Sequence, residues 1–213
     1  MNLSVSERYS TLAIVLHWAI ATLIAANLLL AWSFGFVPAE GLRPLIDIHK
    51  SIGITVLGLG ILRVLWRATH RPPPLPAGPT WERIAVHAVH WILYGLVFLL
   101  PISGWMHDSA WNGAAEHPAK LFFVVPWFRI GVIEHLAPPT KEYLHSLLFK
   151  VHVSLAYVLY GMFVAHVAGA LKHQILEGKP ELQRMWLAIG RKTSARQLAS
   201  PPARVATPTG ART

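Results

Sequence analysis

Cysteine is absent from the 213 residues. That excludes disulfides, thiolate-ligated iron, iron–sulfur clusters and a CxxCH haem attachment. Charge is scarce as well. Only 14% of residues are charged against 54% hydrophobic, and ten acidic residues face nineteen Lys and Arg. The apolar stretches hold almost no acidic residues, although a histidine-lined metal transporter needs such partners for its membrane histidines. No internal repeat is present. The N-terminus has no small-residue cleavage site ahead of a mature soluble domain, so the first apolar block reads as retained.

The apolar residues come in blocks long enough to span a bilayer, not in amphipathic stripes. The chain reads as one all-α, polytopic membrane domain over residues 1–190. A basic tail at 191–213, rich in Pro, Ala, Thr and Arg, is expected to be disordered. Four spanning helices are expected at 11–34, 45–66, 84–106 and 147–171. The nine tryptophans lie mostly near the block ends, as an interfacial belt would. The proline-rich 67–83 connection reads as an extended surface linker, with His70 a solvated residue. Arg63, late in the second block, is expected to snorkel to the interface. Gly53, Gly58 and Gly60 allow close approach of a neighbouring helix or of a flat macrocycle, and Pro101 with Gly104 is expected to kink the third helix. The 107–144 segment reads as a long loop. Its LFFVVPWFRI run is too short to span and is interrupted by Pro126, which points to a re-entrant or interfacial lid, with an amphipathic surface helix as the alternative.

The fourth block organises the rest. It carries His152 and His166, fourteen residues apart. That is close to four helical turns, so both rings leave one face, roughly 21 Å apart along the axis. Ionisable side chains inside a membrane helix mark function, and one imidazole near each membrane face suggests two stacked cofactor sites. Each site needs a second ligand from a neighbouring helix.

Basic residues concentrate in the 67–83 linker and the tail, while the other two loops are mixed. The positive-inside rule then puts both termini in the cytoplasm. With helices alternating in direction, His17 and His166 share the inner depth, and His49 and His152 the outer. Two bis-imidazole sites in one transmembrane four-helix bundle suggest a bundle enclosing two b-type haems. His87 and His90, at i and i+3, also share the inner depth. On spacing alone they compete with His17 for the inner iron. Arg43, Lys50, Lys150 and His145 cluster by depth near the outer site, where they can pair with haem carboxylates and attract an anion, or serve as interfacial cations.

The pieces YSTLAIVLHW, RPLIDIHKSIG, AVHAVHWILYGLVFLLPISGW and KVHVSLAYVLYGMFVAHVAGAL resemble the bacterial cytochrome b561 family, over about residues 9–175. The HW of the first helix and the fourteen-residue histidine spacing are its specific elements. The resemblance implies a bacterial inner-membrane oxidoreductase with two b haems per chain, ligated by His17, His49, His152 and His166, with His87 and His90 beside the inner haem. It implies ubiquinone as acceptor, superoxide on the outer side as donor, and membrane lipid as surroundings. A different class remains open: a haem-bearing anchor and electron conduit for a partner redox protein such as a dehydrogenase or hydrogenase.

Overall fold

Ser10 starts the bundle. Its Oγ accepts from the Ala13 amide at 3.4 Å and from the Trp66 indole at 2.9 Å, so a helix N-cap also ties α1 (Thr11–Ser33) to α2 (Ala39–Thr69). In the computed structural model, which describes residues 8–70, 72–74, 79–178 and 181–186, α3 (Thr80–Ser109) follows, then a loop containing a short helix α4 (Gly131–Glu134). Next come α5 (Pro138–Leu171), a π-helical turn (Lys172–Leu176) and a last turn α6 (Glu181–Arg184). The expected tail at 191–213 and Arg71 of the linker lie outside the described residues.

The four long helices are each long and apolar enough to cross a membrane. Their side chains are mostly outward and apolar, among them Leu29, Trp32, Leu65, Ile84, Trp91 and Val164. A helix hydrophobic all round needs an apolar surrounding, and its backbone is satisfied internally, as lipid demands. α1 packs on α2, α2 on α3 and α3 on α5, whereas α1 and α5 stand apart along most of their length. The buried core is thin: Ile14, Leu16 and Ile20 of α1, Val56 of α2, Leu96 of α3 and Leu159 of α5. Where α2 meets α3 the approach depends on Gly60, because a Cβ there would lie 2.8 Å from Val97 Cγ1. Gly58 has nothing within 4 Å, so of the expected packing glycines Gly60 is the one that needs to be small.

Helix ends run beyond the expected ones. α2 begins at Ala39 and contains Pro44. The proline removes one backbone bond near the helix start, and its fixed φ suits a helix. α3 and α5 begin at Thr80 and Pro138, where Pro79 sits at the cap and Pro138 in the first turn, positions proline favours.

The 107–144 segment is accordingly shorter as a loop than expected. It folds into a 3-10 turn (Asn112–Glu116) and a two-stranded hairpin, β1 (Lys120–Leu121) against β2 (Val125–Pro126). The LFFVVPWFRI run itself forms no helix. Phe122 and Phe123 turn the chain at φ 48° and 65°, the left-handed region that side chains disfavour. The Phe122 amide donates to Ser51 Oγ at 2.8 Å, twelve residues into α2, so the hairpin reaches down the side of the bundle. Arg129 fixes its far end through Asp108 and the carbonyls of Ala114 and His117. At the opposite, terminal end, the Trp18 indole donates to the Met185 carbonyl at 2.7 Å, closing α6 onto α1.

Candidate functional site

Two facing histidine pairs lie at different levels of the bundle. At the hairpin end, the rings of His49 on α2 and His152 on α5 have centroids 6.0 Å apart, inclined at 79°. At the terminal end, His17 on α1 and His166 on α5 are 6.1 Å apart at 67°. Two metal–imidazole bonds of about 2 Å each, plus the half-widths of two rings, would separate centroids by roughly 6 Å. Both pairs have that spacing. His90 of α3 also meets His166, at 5.2 Å and edge-on, which is too close for an ion between the rings. His87 is exposed and makes no ring contact with this group among the described residues.

The His49–His152 pair stands in the wall of a cavity of about 810 Å³. All four long helices line it, and Ala119, Lys120, Leu121 and Trp127 of the loop cover its flank. The Leu100 carbonyl, 3.1 Å from His152 Nδ1, can only accept, so that nitrogen carries the proton and Nε2 keeps a free lone pair. Ser103 Oγ braces the same Nδ1 at 3.0 Å. This is the outer arrangement that orients a ligating imidazole. A Cβ on Gly104 would lie 3.2 Å from the His152 ring, so this glycine gives the ring its room. Among the described residues Asn27 Oδ1 and Trp127 Nε1 are buried without hydrogen-bond partners, and both residues line the cavity beside His49. Unsatisfied polar atoms around a large apolar space fit a bound group with a few polar handles. At the terminal end His90 Nδ1 donates to the Val86 carbonyl at 2.6 Å, which leaves its Nε2 free as well.

The expected cations divide. Lys50 lines the cavity and bridges two carboxylates, Asp47 at 2.8 Å and Asp108 at 3.1 Å. Arg43 pairs with Asp47 at 3.3 Å and lies 4.7 Å from the Trp111 ring centroid. Lys150 is exposed on α5 and is not among the cavity-lining residues. His145 stacks on His107 at 3.9 Å, each Nδ1 donating to the other's carbonyl at 3.0 Å, which clamps α3 to α5. Sequence reasoning missed Asp108 and Arg129, whose pairing spans 21 residues, and Lys120, a loop cation with no ion-pair partner among the described residues. A run that reads as apolar gives no signal that the lysine before it will enter a cavity wall.

Glu82, His173 and Glu177 bring ligand atoms within 4.8 Å of one another at the terminal end. The Lys172 ammonium already sits among these carboxylates, 2.6 Å from Glu82 and 3.0 Å from Glu177, so it offsets one of the two negative charges and ties the π-helical turn after α5 to the start of α3.

Residues 8–188 match the family described as prokaryotic cytochrome b561. The chain is 30% identical to cytochrome b561 homolog 2 of Escherichia coli (strain K12), over 88% of this chain and 94% of that protein. It is 28% identical to a protein of Yersinia pestis named probable superoxide oxidase CybB, over 84% and 96% of the two chains. Cytochrome b561 homolog 1 of Escherichia coli (strain K12) is 25% identical, over 84% and 97%.

Proposed function

Because the chain belongs to the prokaryotic cytochrome b561 family of membrane electron-transfer proteins carrying b-type haem, we propose that it is an oxidoreductase with two b haems that moves electrons from superoxide to ubiquinone. His49 and His152 hold the haem at the hairpin end, and His17 and His166 the one at the terminal end. His90, with His87 beyond it, borders the latter. The observation that carries this reading is the facing His49–His152 pair in the cavity wall, with the free Nε2 of His152 braced from behind. The similarity to a relative named probable superoxide oxidase supports the choice of donor.

The 67–83 linker and the sequence after Leu171 together hold eleven of the nineteen Lys and Arg, among them Arg67, Arg83, Lys172 and Arg184 of the terminal end. By the positive-inside rule that end faces the cytoplasm of a bacterial inner-membrane protein, and the hairpin end faces out. Two superoxide anions each give up one electron and leave as dioxygen; one ubiquinone takes two electrons and two protons. Bound haem supplies reversible one-electron exchange of iron. The chain's own part is positional. Leu100 and Ser103 fix the His152 ring, the apolar lining keeps water from the cavity, and Lys50, Arg43 and Lys120 set positive charge at its outer side. Lys150 adds to that field from the exposed face of α5.

A haem-bearing electron conduit for a partner dehydrogenase or hydrogenase is the second reading. The exposed apolar residues Phe122, Phe123, Val124 and Phe128 of the hairpin region favour it as a surface for docking. One experiment separates the two. Purified protein is expected to give two haems per chain by pyridine haemochrome, and anaerobic stopped-flow mixing with superoxide should reduce haem rapidly, with reoxidation by added quinone. Absence of a Soret band overturns the haem reading; slow reduction by superoxide favours the conduit.

A further inference from the structure

The bundle contains a cation that the scheme above does not use. Arg63 lies on α2 near the level of His17 and His166 and is half-buried. It does not snorkel outward as its place in the sequence suggested. Nη1 donates to the Ala13 carbonyl of α1 at 3.1 Å, and the guanidinium carbon stands 5.8 Å from the Tyr94 ring centroid on α3. It is within electrostatic reach of His17, His90 and His166. Among the described residues no carboxylate pairs with it. The hairpin end is different: Arg43, Lys50 and Arg129 share Asp47 and Asp108. An arginine inside a membrane bundle is costly and is normally paired. One neutral carbonyl uses one of its five donors, while the planar fork is shaped for a carboxylate.

We infer that Arg63 is the counter-charge site for a carboxylate of the haem held between His17 and His166. The inference rests on the two-haem reading. The direction from His17 to His166 runs from α1 to α5. α2 and α3 flank that direction, so Arg63, Tyr94 and His90 border the rim of a flat group bound between the two imidazoles. A haem carries its two carboxylates on that rim, and it brings the negative charge that the described protein residues do not provide there. Arg67, one turn further toward the terminal end, lies 5.7 Å from the same Tyr94 ring and is exposed, which extends the positive path to the surface.

The experiment uses the full haem-loaded chain in detergent and the variants Arg63→Gln and Arg63→Lys. Haem content comes from pyridine haemochrome, midpoint potentials from spectroelectrochemical titration, and haem release from transfer to apomyoglobin. The terminal-end component is assigned by its loss in His166→Ala. For Arg63→Gln, release of that haem is expected to quicken about tenfold or more, since a charge-assisted contact is lost. Its potential should fall, because a positive charge favours the reduced state. The haem at the hairpin end should keep its potential and release rate. Unchanged release and potential at the terminal end, or equal changes at both haems, would overturn the assignment. If Arg63→Gln does not assemble, Arg63→Lys decides: faster release from the terminal end alone, at a potential near the parent's, supports the carboxylate contact, and parental release overturns it. A parent chain with one haem would sink the two-haem reading itself, whereas two haems with a silent Arg63 would sink only this inference.

Discussion

His152 and His90 have similar surroundings on paper, since each donates Nδ1–H to a backbone carbonyl and keeps Nε2 free. Geometry separates them. His152 faces His49 at 6.0 Å, whereas His90 meets His166 at 5.2 Å. His152→Ala should therefore lose the haem at the hairpin end and His166→Ala the one at the terminal end, each leaving the other bound. His90→Ala should retain both and shift the terminal-end spectrum or potential, as changes behind or beside ligands do. Haem stoichiometry checks this. Loss of a haem in His90→Ala with retention of both in His17→Ala would transfer the ligand role from His17 to His90. Gly104 gives a finer version of the same test. A methyl group there would press on the His152 ring from 3.2 Å. Gly104→Ala should broaden or shift the hairpin-end Soret component and leave the terminal-end component as it was.

The elements were legible where composition alone decides them. Four apolar blocks needed only their length, and the fourteen-residue spacing in α5 already put His152 and His166 on one face. Helix ends were less legible because proline has two meanings. Pro44 and Pro138 look like breakers in a string of residues, yet Pro138 opens α5, where a missing N–H matters little, and Pro44, five residues into α2, costs the helix one backbone bond without ending it. The hairpin was illegible as a hairpin. Its turn is built on Phe122 and Phe123 at positive φ, with none of the Gly or Asn that normally announce such a turn. Its stability must come from tertiary contacts, and one is the Phe122 amide on the fully buried Ser51 hydroxyl. Ser51→Ala leaves that amide unpaired, a loss of about 1–3 kcal/mol. Amide exchange at 120–126 should quicken while the helices keep their protection; unchanged exchange would mean that Arg129 and Asp108 alone hold the loop. A second contact between elements is equally specific. The Cβ added by Gly60→Ala would lie 2.8 Å from Val97 Cγ1, and overpacking of this kind costs about 1–3 kcal/mol. Thermal denaturation in detergent should register that loss, and Val97→Ala introduced with it should recover most of the stability. Failure to recover would place the strain elsewhere than the α2–α3 contact.

At the scale of the whole molecule the question is whether its field steers an anion. The formal charge is +9, but distribution decides the matter. At the hairpin end Arg43, Lys50 and Arg129 are offset by Asp47 and Asp108. Three cations against two carboxylates leave that network with one net positive charge. Lys50 is thus a bridge more than a free attractor, and replacing it by Glu would add a third carboxylate to the network and rearrange it. Lys120 differs: it lines the cavity, is exposed, and has no ion-pair partner among the described residues. Steering by such charges raises on-rates by about 10–10³-fold in total and fades with ionic strength. At 0.15 M salt the screening length is about 8 Å, so a cation in the cavity wall still acts on a substrate arriving beside it. Lys120→Gln should slow haem reduction by superoxide several-fold and flatten its salt dependence. Lys150→Gln, away from the cavity, should do less. A neutral small donor should reduce all three proteins at similar rates. The hairpin-end midpoint potential must be measured in each, because a carboxylate of the haem paired to Lys120 would shift it and slow every donor alike. If charged and neutral donors slow equally at an unchanged potential, steering loses its support. If the parent reacts slowly with superoxide and neither lysine matters, the electrons come from a docked partner, with the exposed hairpin residues Phe122, Phe123 and Val124 as the surface to mutate next.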